Sequence, residues 1–193
     1  MYVPELGEEV PRKGNRLTRF LALSMLRLFG WRFEGELPNR PRFVAIVAPH
    51  TTAWDFVLGM LAIYGIGIRA HWMGADWIFK FPAMRLLGGI PVDRSRSQGL
   101  VGQSIEHFKK KSRFVLALSP EGSRSKVVPW KTGFYRIASG AGVPILPLSV
   151  DYQTRRLRLG ETLHPCGDYE KDLATLREFF AEFVAKFPDR FGI

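Results

Sequence analysis

The sequence predicts an α/β fold: a single layered domain with a largely internal mixed sheet flanked by helices, plus an N-terminal apolar, amphipathic helix. Three observations predict it. Apolar, β-rich runs at 42–48 ("RFVAIVA"), 114–119 ("FVLALS") and 144–152 ("PILPLSVDY") are continuous rather than alternating, as strands covered on both faces are. Between and after them, apolar residues recur at helical spacing. Finally, 193 residues with 46% hydrophobic and 24% charged content suit one domain with a full core.

In chain order, "LTRFLALSMLRLFGWRF" (17–33) is apolar around most of a helix but is interrupted by Arg19, Arg27 and Arg32. It falls short of the roughly 20 apolar residues a bilayer requires. A secretory signal would place its basic residues before the apolar run, not within it. Two readings stand: a helix packed on the domain, or one lying in a membrane interface with its arginines at headgroup level. Residues 1–35 are set apart on this basis from a body at 36–193. A strand at 42–48 leads into a buried helix at 53–66. Val101, Ile105 and Phe108 mark the next helix, "RLRLG" (156–160) reads as an edge strand, and Leu173, Leu176, Phe180, Phe183 and Phe187 mark a C-terminal helix. No repeat, low-complexity segment or dividing linker interrupts the pattern.

Lysine and arginine number 28 against 18 acidic residues, a formal charge of +10. That excess favours an anionic partner: phospholipid, phosphorylated substrate, acidic carrier protein or nucleic acid. A single cysteine, Cys166, precludes an internal disulfide and a cysteine-based metal cluster, which fits a reducing compartment.

The polar residues of "APHTTAWDF" stand between two apolar runs. His50 and Asp55, five apart, would lie about 140° apart around one helix and could not meet. They meet across a helix start. With the strand ending near Ala48, Pro49 and His50 form the turn, Thr51 or Thr52 caps the helix, and Asp55 reaches back from the first turn to the imidazole. A carboxylate so placed sets the tautomer of a general base and stabilises its imidazolium. The other reading of the pair is a capped turn alone.

Later stretches bear on that choice. "GGIPVDRS" carries Asp93 and Arg94 after a Gly-Gly-Ile-Pro turn, "PEGSRS" carries Glu121, Gly122, Ser123 and Arg124 with Lys131 close behind, and "VPILPL" follows. With "HTTAWD" these four blocks, in order from about Ala48 to Val150, resemble the glycerolipid acyltransferases, the family that includes 1-acylglycerol-3-phosphate acyltransferases. Two departures bear on the site. Pro49 stands where the family commonly has Asn, which touches the hydrogen bonding around His50 and the choice of acceptor; Ser123 stands for Thr, a mild hydroxyl exchange.

The resemblance implies that His50 deprotonates an acceptor hydroxyl while Asp55 orients it, with direct attack on an acyl thioester. Arg94, Arg124 and Lys131 would hold a phosphorylated acceptor, Gly122 and Ser123 would lie against it, and Glu121 would order Arg124 or bond a glycerol hydroxyl. No metal or other cofactor is implied; acyl-CoA or acyl-carrier protein is the donor substrate, and a lysophospholipid-like acceptor and an anionic membrane surface are the partners, not nucleic acid. Peripheral or monotopic attachment to the cytoplasmic side of the membrane follows. A different acceptor, amino-acid-derived or non-phosphorylated, is the nearest alternative. A non-catalytic basic module on membranes or nucleic acid leaves the ordered blocks unexplained. His71, His107 and His164 read as structural or solvated, as does the cluster Lys109 to Lys111, with an anionic lipid or carrier as the latter's other use. Cys166 has no histidine beside it in sequence, and Ser119 and Ser123 lack a Gly-x-Ser-x-Gly elbow.

Overall fold

The structure is a computed structural model and describes residues 1–92, 99–122, 126 and 128–192. Helix α1 (Arg16–Leu28) starts at Asn15, whose side chain accepts the Thr18 amide while Thr18 Oγ accepts the Asn15 amide, both at 2.9 Å. It ends in a Schellman turn. Gly30, at φ 73°, donates to the Arg27 carbonyl, and Trp31 donates to that of Leu26. The apolar stretch 17–33 is therefore cut at Gly30, and its last residues enter the sheet as β1 (Arg32–Glu34).

The remaining elements alternate: β2 (Arg42–Ala48), α2 (Ala53–Ile66), β3 (Ala70–Ala75), a 3-10 turn (Asp76–Lys80), α3 (Pro82–Leu86), β4 (Gly89–Val92), α4 (Gly99–Lys110), β5 (Phe114–Leu118), α5 (Gly133–Ala141), β6 (Ile145–Asp151), β7 (Arg156–Leu159) and α6 (Tyr169–Ala181). Among the described residues the strands form one mixed seven-stranded sheet in the order β1-β7-β6-β2-β5-β3-β4. Pairing is parallel throughout except between β6 and β7.

Side-chain alternation in β2 explains its unbroken apolar run. Val44, Ile46 and Ala48 enter a core with Phe134 and Ile137 of α5 and Leu173, Leu176 and Phe180 of α6. Phe43 and Ala45 enter the opposite core with Leu26 of α1 and Leu58, Ala62 and Ile66 of α2. Each such large side chain, once buried, contributes roughly 1.5–3 kcal/mol of transfer free energy. Both faces are covered, so a polar residue on either would be buried.

Three local readings change. "RLRLG" is not at the edge, because β1 pairs with β7 from Arg32↔Arg156 to Glu34↔Arg158. "GGIP" is not all turn: Gly89 begins β4, an edge strand where Pro91 breaks no inner ladder. Phe183 and Phe187 lie beyond the end of α6. The parallel order has a functional consequence. Central β2 pairs with β5 on one side and β6 on the other, so the loops leaving all three emerge together at one end of the sheet.

Candidate active site

At the end of β2 the Ala48–Pro49 peptide is cis, and Thr52 becomes the N-cap of α2, its hydroxyl accepting the Trp54 amide at 3.4 Å. Asp55 is the third residue of the helix and completes a capping box. Its Oδ2 accepts the amides of Thr51 at 2.8 Å and Thr52 at 2.9 Å. The positive end of the helix dipole favours a carboxylate there. Across this turn His50 Nδ1 lies 3.4 Å from Asp55 Oδ2, with the imidazole 27% exposed and the carboxylate 1%. The pair therefore has one accessible and one buried member.

Two residues from distant parts of the chain hold this turn. Glu121, in the loop after β5, accepts the His50 amide through both carboxylate oxygens, at 3.1 and 3.2 Å, and the Ser119 hydroxyl at 2.8 Å. Burial pushes the Glu121 pKa up, against the pull of the Ser119 hydroxyl and the His50 amide. Tyr152, just past β6, donates its hydroxyl to Asp55 Oδ1 at 2.6 Å. Burial and then the Asp55 carboxylate raise the Tyr152 pKa, so the phenol stays a donor.

Gly122 adopts φ 63°, and a Cβ there would lie 3.1 Å from Lys131 Cδ and 3.2 Å from its Nζ. Glycine thus meets two demands at once: a left-handed backbone and the close passage of a lysine. The structure brings His50, Asp55, Glu121, Gly122 and Lys131 to one end of the sheet. Arg94, Ser123 and Arg124 lie outside the described residues.

Several neighbours escape a reading of the sequence. Besides Tyr152, the segment after α6 folds over the turn: Phe187 donates its amide to Thr51 Oγ, and Arg190 donates to the Thr51 carbonyl, both at 3.4 Å. Lys186 Nζ sits 5.7 Å from the Trp54 ring centroid and 5.9 Å from that of Tyr152. The clustering of Lys186 and Arg190 with phenylalanines in "AKFPDRF" was the available signal, but nothing local ties it to Thr51. Among the described residues, no three His, Cys, Asp or Glu side chains group as metal ligands would. The assembled chemistry is a partly exposed imidazole backed by a buried carboxylate, with lysines and an arginine around it.

The acyltransferase family model matches residues 32–151. The 1-acyl-sn-glycerol-3-phosphate acyltransferases of Escherichia coli (strain K12) and Salmonella typhimurium are each 28% identical to the chain over an alignment of 142 residues that covers 68% of this chain and 58% of the length of each relative. The crystal structure of the 1-acyl-sn-glycerophosphate (LPA) acyltransferase PlsC from Thermotoga maritima shares the fold, with a TM-score of 0.62 at 20% identity, over 86% of this chain and 76% of that one.

Proposed function

We propose that this chain, which belongs to the acyltransferase family, moves a fatty acyl group from an acyl thioester to the hydroxyl of a lysophosphatidic-acid-like acceptor, a step of phospholipid biosynthesis. The observation that carries the reading is the contact of His50 Nδ1 with Asp55 Oδ2 at 3.4 Å. That separation is long for a hydrogen bond, as catalytic pairs often are before substrate closes them.

In the proposed reaction the acceptor hydroxyl gives its proton to His50 as its oxygen bonds to the thioester carbonyl carbon. Asp55 stabilises the imidazolium. The C–S bond of the tetrahedral intermediate then breaks, and the thiolate leaves with the proton that His50 returns. Products are an ester and a free thiol, and the balance needs neither a metal nor a redox cofactor. Acyl-CoA or acyl-carrier protein supplies the thioester. Arg94, Arg124 and Lys131 are assigned to the acceptor's phosphate, with Gly122 and Ser123 beside it. Glu121 supports His50 through the peptide N–H rather than touching the proton in flight.

The acceptor chain would enter from a membrane. Among the described residues no helix is long and apolar enough to cross one, but α1 turns Leu26 inward while leaving Phe20 66% and Leu28 74% exposed. We assign residues 1–35 to peripheral attachment at the cytoplasmic face, with these side chains among the lipid tails and the arginines at the headgroups. Turnover of acyl-CoA or acyl-carrier protein by the purified protein, against a panel of phosphorylated, amino-acid-derived and neutral acceptors, tests the reading. His50→Ala should slow the reaction by about 100- to 10,000-fold. A folded His50→Ala protein of undiminished rate would overturn it.

A further inference from the structure

A cavity of about 240 Å³ opens where β3 and β4 begin, at the end of the sheet opposite the loops of His50 and Glu121. Lys13, Arg69, His71 and Arg85 line it beside Gly88 and Gly89. The glycine pair makes the site possible. A Cβ on Gly88, which sits at φ 89°, would lie 2.6 Å from the Ala70 carbonyl oxygen, and one on Gly89 would lie 2.7 Å from that of Met84. Without side chains there, the end of α3 closes onto the start of β3 and carries Arg85 with it. Lys13 Nζ is anchored on the Leu86 carbonyl at 2.6 Å.

The charges in this cavity are of one sign. Among the described residues no carboxylate pairs with Lys13, Arg69, Arg85 or the nearby Lys111. They press on one another. Burial and then Arg69 lower the Lys111 pKa, while burial followed by Lys111, Lys13 and Arg69 bring that of His71 down to about 4 against the pull of a hydrogen bond to the Val115 backbone. His71 Nδ1 is buried without a hydrogen-bond partner, so the histidine is neither satisfied nor solvated at that atom. Converging cations around an open volume lack one thing, an anion with oxygens to share among them.

We propose that this cavity is a phosphate-binding site, distinct from the acceptor site at the His50 turn. A phosphate group seated between Lys13, Arg69 and Arg85 offsets their repulsion, and its charge acts on the His71 imidazole in the same wall. The phosphate belongs either to a lipid headgroup or to a soluble ion. Leu86, 76% exposed, and Phe81, 65% exposed, stand close by on and just before α3, an arrangement that suits a headgroup at a bilayer surface.

The test reads binding alone, so its outcome is independent of the acyl-transfer reading. The His71 imidazole is followed by NMR through a pH titration, without ligand, with inorganic phosphate, and with phosphatidylcholine bicelles containing or lacking phosphatidic acid. An occupied site raises the His71 pKa by about one unit or more, because an anion replaces the bare field of cations. Arg69→Gln/Arg85→Gln weakens the effective probe by about tenfold or more, while Lys171→Gln, at an exposed position of α6, leaves it unchanged. Both arginine side chains are exposed, and Arg85→Gln alone serves should the double variant misfold. A response to inorganic phosphate identifies a soluble ligand, and a response confined to phosphatidic acid identifies a headgroup. An unmoved His71 with every probe, or equal binding by parent and arginine variants, overturns the site.

Discussion

The Tyr152 hydroxyl donates to Asp55 Oδ1 at 2.6 Å, joining the residue that follows β6 to the first turn of the helix that follows β2. With the Thr51 and Thr52 amides on Oδ2, both oxygens of Asp55 are engaged, and the carboxylate is held facing His50. Tyr152→Phe keeps the ring edge that packs on Trp31 at 5.2 Å and removes only the donor. Losing a hydrogen bond to a buried charge costs about 1.5–3 kcal/mol. If Asp55 orients the base, kcat should fall by roughly 10- to 100-fold with KM little changed; steady-state kinetics on the folded variant checks this, and a proportionate rise in KM would point instead to substrate binding.

Glu121 is buried with its pKa pushed up, so the sign of its effect on stability is set. A carboxyl whose folded pKa lies above its unfolded value binds its proton more tightly when folded, and stability is lost as pH rises through that interval. Glu121→Gln removes the titration. Chemical unfolding of both proteins between pH 4 and 8 should show the variant gaining relative to the parent as pH rises. Its rate should nevertheless fall, because one amide oxygen replaces two carboxylate oxygens at the His50 N–H.

The exposed face of α1 offers a membrane test that spares the core. Deleting the helix would also remove buried Leu26, whereas Phe20→Ser with Leu28→Ser changes only exposed positions. Each large apolar side chain withdrawn from lipid forfeits about 1.5–3 kcal/mol. Sedimentation with anionic liposomes should show binding weakened by roughly 100-fold or more in the double variant at an unaltered thermal midpoint. Undiminished binding would dismiss α1 as the anchor.

His71 makes a separate prediction in acid. Its folded pKa of about 4 lies below the ordinary histidine value of 6.5, so the unfolded chain takes up the proton first. Stability therefore falls as pH drops from about 6.5 to about 4 and is unaffected by this group above that window. His71→Gln should flatten that part of the profile. Burial keeps the ring neutral first and the Lys111, Lys13 and Arg69 cations after it; those cations remain in the variant, so the difference between the two curves isolates the imidazole.

Legibility in the sequence followed the range of the interactions. The strands at 42–48, 114–118 and 145–151 could be read because both of their faces are buried, which leaves unbroken apolar runs. The helix start could be read to within Thr51 or Thr52 because the partners of the cap lie within four residues, and the structure assigns it to Thr52. β3 and β4 escaped notice because "AHWMGA" and "GIPV" have neither the run nor the alternation of a strand and are recruited by pairing with each other. The Schellman turn at Gly30 had a local signal, a glycine after the apolar stretch, which the strength of the flanking apolar residues concealed.

By itself the sequence determined the α/β class, the buried central strands, the helix after them and the four ordered blocks of an acyltransferase, since each is written in neighbours a few residues apart. Only the tertiary structure decided that Glu121 supports the His50 backbone, that Tyr152 grips Asp55, that the C-terminal segment covers Thr51, and that Lys13, Arg69 and Arg85 line one cavity with His71. The physical reason is the parallel sheet. Its pairing order, not distance along the chain, decides which loops meet at each end, and that order follows from packing two cores at once.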